Sequence, residues 1–192
     1  MTTPGTAAAT TPADSELIRS FLGRSDDAAQ VAPDPVNLPM IRRWCDALGD
    51  DNPIYTSVGA ARAAGHPGIV APPGMLHVWT TPGLRGRALA GVTAEVQNAL
   101  NDAGYTGTVA VTLDNEYLRY LVLGDQLTCV RTIESISPEK RTGLGPGVFV
   151  TSRADYRDAD GELVGTIRLT FLRFRPPGAS VPPVGRPGGE RA

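Results

Sequence analysis

Residues 44–79 read WCDALGDDNPIYTSVGAARAAGHPGIVAPPGMLHVW and set a dense run of turn-forming and polar residues between two apolar segments. Just before and into this stretch, Met40, Ile41, Trp44, Cys45 and Leu48 recur at helical spacing, so a helix over Met40–Leu48 is predicted, closed by Gly49 as its C-cap. Asp50, Asp51, Asn52 and Pro53 form a polar turn. Ser57–Ala64 is a second short helix, capped by Ser57 or Thr56 and stopped by Gly65. His66–Pro73 is irregular because three of its eight residues are proline. Gly74 then opens the apolar run Met75–Trp79. With Pro72 and Pro73 just upstream, this run is read as the start of a buried helix. Both histidines of the chain, His66 and His77, lie in this stretch.

Upstream, residues 1–14 are rich in Thr, Ala and Pro and are read as a disordered arm. Ser15–Leu22 is a candidate short helix, and Val31–Pro39 an extended, proline-studded link. Downstream, Gly83–Gly86 interrupts the chain. Arg87–Ala103 is a longer helix, with Leu89, Val92, Val96 and Leu100 on one face and Gly104 at its end. Beyond it the period changes to two. Thr108–Leu113 continues as strand through Asn115–Tyr120, and Leu121–Asp125 turns. Gln126–Ile136, Val148–Tyr156 and Leu163–Phe174 alternate as strands, the last two joined by an Asp-Gly turn at Arg157–Gly161. After Arg175 the chain is PPGASVPPVGRPGGERA, from which no core can be built. The expected organisation is one domain over residues 15–175, followed by a Pro/Gly-rich tail or linker at 176–192. Helices in the first half and a long antiparallel meander in the second define an α+β class. A long twisted sheet of this kind can wrap the apolar Met75–Trp79 helix.

Composition narrows the possible functions. The 192 residues are 41% hydrophobic and 20% charged, with a formal net charge of −2 and no basic block, so neither nucleic acid nor an anionic membrane is expected as partner. No apolar run approaches the roughly 18 residues that span a bilayer. The N-terminus lacks the basic-then-apolar pattern of a secretory signal, and the expected location is cytoplasmic. Cys45 and Cys129 are far apart and are read as buried thiols. No set of His, Cys, Asp or Glu has metal-ligand spacing, and neither metal nor cofactor is expected. Gly143, Gly145 and Gly147 lack the context of a phosphate loop and fit a tight hairpin or a close backbone approach.

Three segments together, GDDNPIY (49–55), AARAAGH (60–66) and IVAPPGM (69–75), resemble the MaoC-like family of (R)-specific enoyl-CoA hydratases and dehydratases, whose motif runs Gly-Asp-x-Asn-Pro-x-His, a short helix, then Ile-Ala-His-Gly-Met. EYLRYLVLGDQLTCVRTIESI (116–136) and TGLGPGVFVTSRADYRDADGELV (142–164) resemble later strands of the same family. The resemblance implies a hot-dog fold, a long antiparallel sheet wrapped around a central helix. It also implies an acyl-CoA substrate. In active members an Asp/His pair holds a water and adds it across the double bond of an enoyl thioester, while a glycine amide at the head of the central helix receives the thioester oxygen.

The match to that motif is uneven. Asp50 occupies the catalytic Asp position, and Asn52 and Pro53 match, but Tyr55 stands where the catalytic His belongs and Pro72-Pro73 replaces the second His. Tyrosine ordinarily titrates near pH 10 and is a poor base at neutral pH. The departure resembles the non-catalytic chain of actinobacterial two-chain hydratases, whose partner carries the dyad. Ala103-Gly104-Tyr105 and LGPGVFV (144–150) are closer to the steroid side-chain branch. That resemblance implies a heterodimer or heterotetramer with a second MaoC-like chain, and an acyl pocket formed by Tyr55, Pro73, Gly74 and Met75.

Each candidate residue has a plainer alternative. Asp50 is either one half of a catalytic pair or the residue that closes the turn after Gly49. Tyr55 either donates a hydrogen bond into the pocket or fills the space of the missing imidazole. His66 and His77 are candidate acid/base groups for a stand-alone hydratase, or a loop histidine and a core or interface histidine. Arg85 and Arg87 either meet CoA phosphates or are solvated surface charge. A thioesterase is disfavoured because Met75–Pro82 contains no carboxylate to direct water at a thioester. An acyl-CoA-binding module without turnover is the remaining alternative.

Overall fold

The computed structural model describes residues 12–81 and 90–177. Residues 1–11, 82–89 and 178–192 lie outside the described residues. With them go most of the expected arm and tail, the Gly83–Gly86 interruption, and Arg85, Arg87 and Leu89.

The architecture is α+β. Helices α1 (Pro12–Arg19), α2 (Leu38–Leu48), α3 (Val58–Ala63) and α4 (Val92–Asp102) accompany strands β1 (Gln30–Val31), β2 (Gly107–Tyr117), β3 (Thr128–Ile136), β4 (Lys140–Thr142), β5 (Gly145–Arg157) and β6 (Leu163–Phe174). The sheet runs β1-β3-β5-β6-β2, with β4 paired to β5 off this path, and every pairing is antiparallel. The β5–β6 turn is closed by Asp158, whose Oδ1 accepts the amides of Asp160 (3.1 Å) and Glu162 (2.9 Å).

Two apolar clusters fill the inner face. In one, Met75, Leu76 and Trp79 of the central segment pack with Ile41, Cys45 and Tyr55 from the helical side and Leu127, Cys129, Tyr156 and Ile167 from the sheet. In the other, Val92, Val96 and Leu100 of α4 join Ile18, Phe21, Ile133, Val150 and Phe171. Gly165 couples the central segment to the sheet. A Cβ there would lie 2.8 Å from Leu76 Cδ2 and 2.7 Å from the Glu116 carbonyl oxygen, so only glycine admits this approach.

The structure corrects several sequence expectations. The central run Met75–Trp79 is not one α-helix. It forms two 3₁₀ turns, Pro73–Met75 and Val78–Thr80, joined through right-handed backbone at Leu76 and His77. Pro72 and Pro73 offer no N–H, and the amides of Met75 and Leu76 close back three residues onto the carbonyls of Pro72 and Pro73. α1 begins at Pro12, inside the segment read as an arm. α2 starts at Leu38 because the Asn37 side chain accepts the amide of Met40. α4 starts at Val92, where Gly91 adopts φ 79°, and the expected start at Arg87 lies outside the described residues. β2 is one strand with a register shift between Ala110 and Thr112. The short strands β1 and β4 carry too few residues to show a period and were not anticipated. Gly145 meets the close-approach expectation: a Cβ on it would collide with the Arg175 carbonyl oxygen.

Candidate functional site

Successive caps build the motif segment. The Cys45 carbonyl accepts both the Gly49 amide and, at 3.0 Å, the Asp50 amide, ending α2 with Gly49 left-handed at φ 65°. Asp50 Oδ1 accepts the Asn52 amide (3.1 Å), and Asn52 Oδ1 accepts the Ile54 amide (3.3 Å), which starts the 3₁₀ turn Pro53–Tyr55. Ser57 Oγ then caps α3 through the Ala60 amide (3.3 Å). The short polar residues at 50, 52 and 57 thus each hold a backbone amide. This relay turns Tyr55 into the core, where it is 7% exposed.

Burial pushes the Tyr55 phenol above its usual range, and the neighbouring Tyr120 and Asp50 push it the same way. A phenol held neutral in this way cannot serve as the base that the motif histidine provides. The Cys45 thiol is raised as well, by burial and by Asp50 and Asp46. Cys45 and Cys129 are both free and buried, as read from the sequence.

The return segment docks on the loop after β2. Ala71 N–H donates to the Leu121 carbonyl (2.8 Å), and Val70 bridges Val122. Arg119 fixes that loop from the other side, donating to Asp125 (2.7 Å), Asp158 (2.8 Å) and the Tyr120 carbonyl (3.0 Å). Pro73 is half-buried, Met75 fully buried and Gly74 exposed. Gly74 sits over the Trp44 ring, with room for a Cβ 3.4 Å from Trp44 Cζ2. Its amide has no acceptor among the described residues.

The structure therefore brings Asp50 and Tyr120, the latter from the β2–β3 loop, close to Tyr55, and His66 to Tyr120. The His66 and Tyr120 rings meet edge-to-face, with centroids 4.7 Å apart. His77 is not a core residue: its side chain is exposed, and only its carbonyl is engaged, by Thr81 Oγ1 at 2.7 Å. No hydrogen bond joins Asp50 to either histidine among the described residues. Sequence reasoning missed Tyr120 and the Arg119 clamp. The Gly124-Asp125 turn marked the loop, but nothing in the sequence paired Arg119 with Asp158, 39 residues away. Among the described residues no group of His, Cys, Asp or Glu can hold a metal, and no helix is long and apolar enough to cross a membrane.

The fold agrees with comparison to known proteins. Residues 26–167 match the family described as FAS1-like, dehydratase domain region, and the chain belongs to that family, with the hot-dog fold of MaoC-like dehydratases. It is similar to the probable enoyl-CoA hydratase alpha subunit of Thermomonospora curvata, at 43% identity over 83% of this chain and 51% of that protein. It is equally similar to the 3-oxo-4,17-pregnadiene-20-carboxyl-CoA hydratase alpha subunit of Mycobacterium tuberculosis, at 43% identity over 87% of this chain and 54% of that protein. Among solved structures it superposes on a chain of the ChsH1-ChsH2 complex from Mycobacterium tuberculosis with a TM-score of 0.82 and 37% identity, over 88% of this chain and all of that one. The chain spans about half the length of the two curated relatives.

Proposed function

We propose that this chain is the pocket-forming, non-catalytic MaoC-like subunit of a heteromeric enoyl-CoA hydratase, which adds water to a 2-enoyl-CoA bearing a bulky, steroid-type acyl group. A second MaoC-like chain supplies the Asp/His dyad. The observation that carries this reading is Tyr55, a buried, neutral phenol at the position of the motif histidine, beside an Asp50 whose carboxylate is tied into its own turn. With no histidine hydrogen-bonded to Asp50 among the described residues, the motif of this chain lacks the pair that activates water. What remains is shape: Tyr55, Pro73, Gly74 and Met75 wall an acyl site, and the free Gly74 amide is a donor for an acyl oxygen. The relatives named as hydratase alpha subunits support the substrate class, and cytoplasmic acyl-CoA metabolism is the setting it implies.

A heterodimer, or a heterotetramer built from it, is supported by the sheet edge. Among the described residues β2 pairs only with β6, and ten of its eleven residues are exposed, including Val109, Leu113 and Tyr117. An edge this long and apolar invites another strand. The partner we assign to it is the dyad-bearing chain, and the superposable chain comes from a two-protein complex.

The test is co-expression with a short chain carrying an intact Gly-Asp-x-Asn-Pro-x-His. Hydration of a steroid side-chain enoyl-CoA is then followed for the pair and for each chain alone. The pair is expected to turn over, and this chain alone is not. A rate for this chain alone equal to that of the pair overturns the proposal and returns the stand-alone hydratase. Tight enoyl-CoA binding without turnover, even in the pair, returns the acyl-CoA-binding module.

A further inference from the structure

We propose that Tyr120 is a specificity-determining residue of the acyl site, a rigid aromatic wall that selects flat, fused-ring acyl groups over short linear ones. This rests on the pocket-forming reading above, and it assigns a residue that the motif does not contain.

Three observations converge on it. The first is position. Tyr120 meets His66 edge-to-face and lies close enough to Tyr55 to act on its phenol, so it stands beside the residue that replaces the motif histidine. The second is rigidity. Arg119 holds the Tyr120 carbonyl while pairing with Asp125 and Asp158, and the next two residues are fixed by Ala71 and Val70. The backbone that carries the ring is thus held between the β5–β6 turn and the return segment. The third is exposure. With all this fixation, Tyr120, which lies beyond the β2 edge assigned to the partner chain, is still 39% exposed.

A clamped aromatic left open on one side keeps an apolar face available to a ligand. Rigid rings bind flat apolar surfaces well because little side-chain freedom is lost on contact. A four-carbon acyl group is too short to lie along such a wall. A fused-ring acyl group presents a broad apolar face that can cover the whole exposed side of the ring.

The experiment uses the co-expressed pair with wild-type, Y120A and Y120F versions of this chain. The readout is the ratio of kcat/KM for a fused-ring steroid enoyl-CoA to that for 2-butenoyl-CoA. Losing one ring contact is expected to lower this ratio about tenfold in Y120A, mainly through KM for the fused-ring substrate, and Y120F is expected to restore it. An unchanged ratio, or equal losses on both substrates, overturns the proposal. If Y120A fails to fold by thermal melting, Y120L gives the same comparison. If the wild-type pair hydrates neither substrate, the hydratase reading has failed, and Tyr120 is then judged by binding alone. Trp fluorescence titration of this chain with a saturated fused-ring acyl-CoA and with butanoyl-CoA should show the same selective loss in Y120A, and parallel binding of both ligands overturns the proposal.

Discussion

Asp26 caps a helix that begins 66 residues further on: its Oδ1 accepts the Val92 amide at 2.9 Å, while its Oδ2 accepts the Arg131 amide at 2.9 Å. One carboxylate with a side chain 6% exposed thus ties the start of α4 to β3. Gly91 makes this possible, because its φ of 79° suits glycine and a Cβ would collide with the Asp26 carboxylate.

The first prediction follows from that contact. Asp26→Ala strands two backbone amides and leaves α4 without its cap, costing about 3 kcal/mol, or a fall in Tm of about 9 °C for a domain of this size. Gly91→Ala should cost at least about 2 kcal/mol, because it combines a disfavoured backbone with a clash. The two losses should not add, since both act on one contact. Thermal melting of the two single variants and the double variant checks this, and full additivity would contradict it.

Asp50 is the residue on which the competing functions differ most. Its carboxylate receives the Asn52 amide and touches no histidine among the described residues. As a turn residue, Asp50→Ala should cost about 1 kcal/mol of stability and change kcat/KM of the pair by less than about threefold. As half of a dyad it would cost about 100-fold or more. Steady-state kinetics of the pair separates the two.

Tyr55 is expected to act through its volume. Its ring is buried in the cluster with Cys45, Val70 and Met75. Tyr55→Phe keeps the shape and should cost less than about 1.5 kcal/mol. Tyr55→Ala opens a cavity and should cost about 3–5 kcal/mol. Urea denaturation of both variants reads the difference, and equal losses would show that the hydroxyl, not the ring, is what matters.

Much of this was legible in the sequence where a local signal decides the outcome. Gly49, Ser57 and Gly65 bound their helices as read because caps act within a few residues. The Leu163–Phe174 strand matches its expected limits, since alternation over twelve residues is hard to misplace. The site was legible as a motif with a gap at Tyr55. What the sequence hid depends on distant partners. Asp26 gave no sign that it caps α4, Tyr120 gave none that it meets His66, and the central run read as a helix because periodicity cannot separate α from 3₁₀ hydrogen bonding in so short a segment.

The Arg119–Asp158 pair predicts how the site responds to acid. The Arg119 guanidinium, helped by the Glu162 and Asp160 amides, holds the Asp158 carboxyl below the usual aspartate range. Its folded pKa is therefore lower than its unfolded value of about 3.9, and the unfolded chain binds the proton first as pH falls. The stabilisation from this pair is complete above that value and is lost as pH drops through the lower folded value. Asp158→Asn removes the charge at every pH, so its deficit in Tm against wild type should be largest at neutral pH and should shrink below about pH 4. Because Asp158 anchors the loop that carries Tyr120, the same variant should weaken the preference for fused-ring acyl groups at neutral pH. Melting curves from pH 7 to pH 3 provide the check, and a Tm deficit that stays constant across that range would remove Arg119 as the cause.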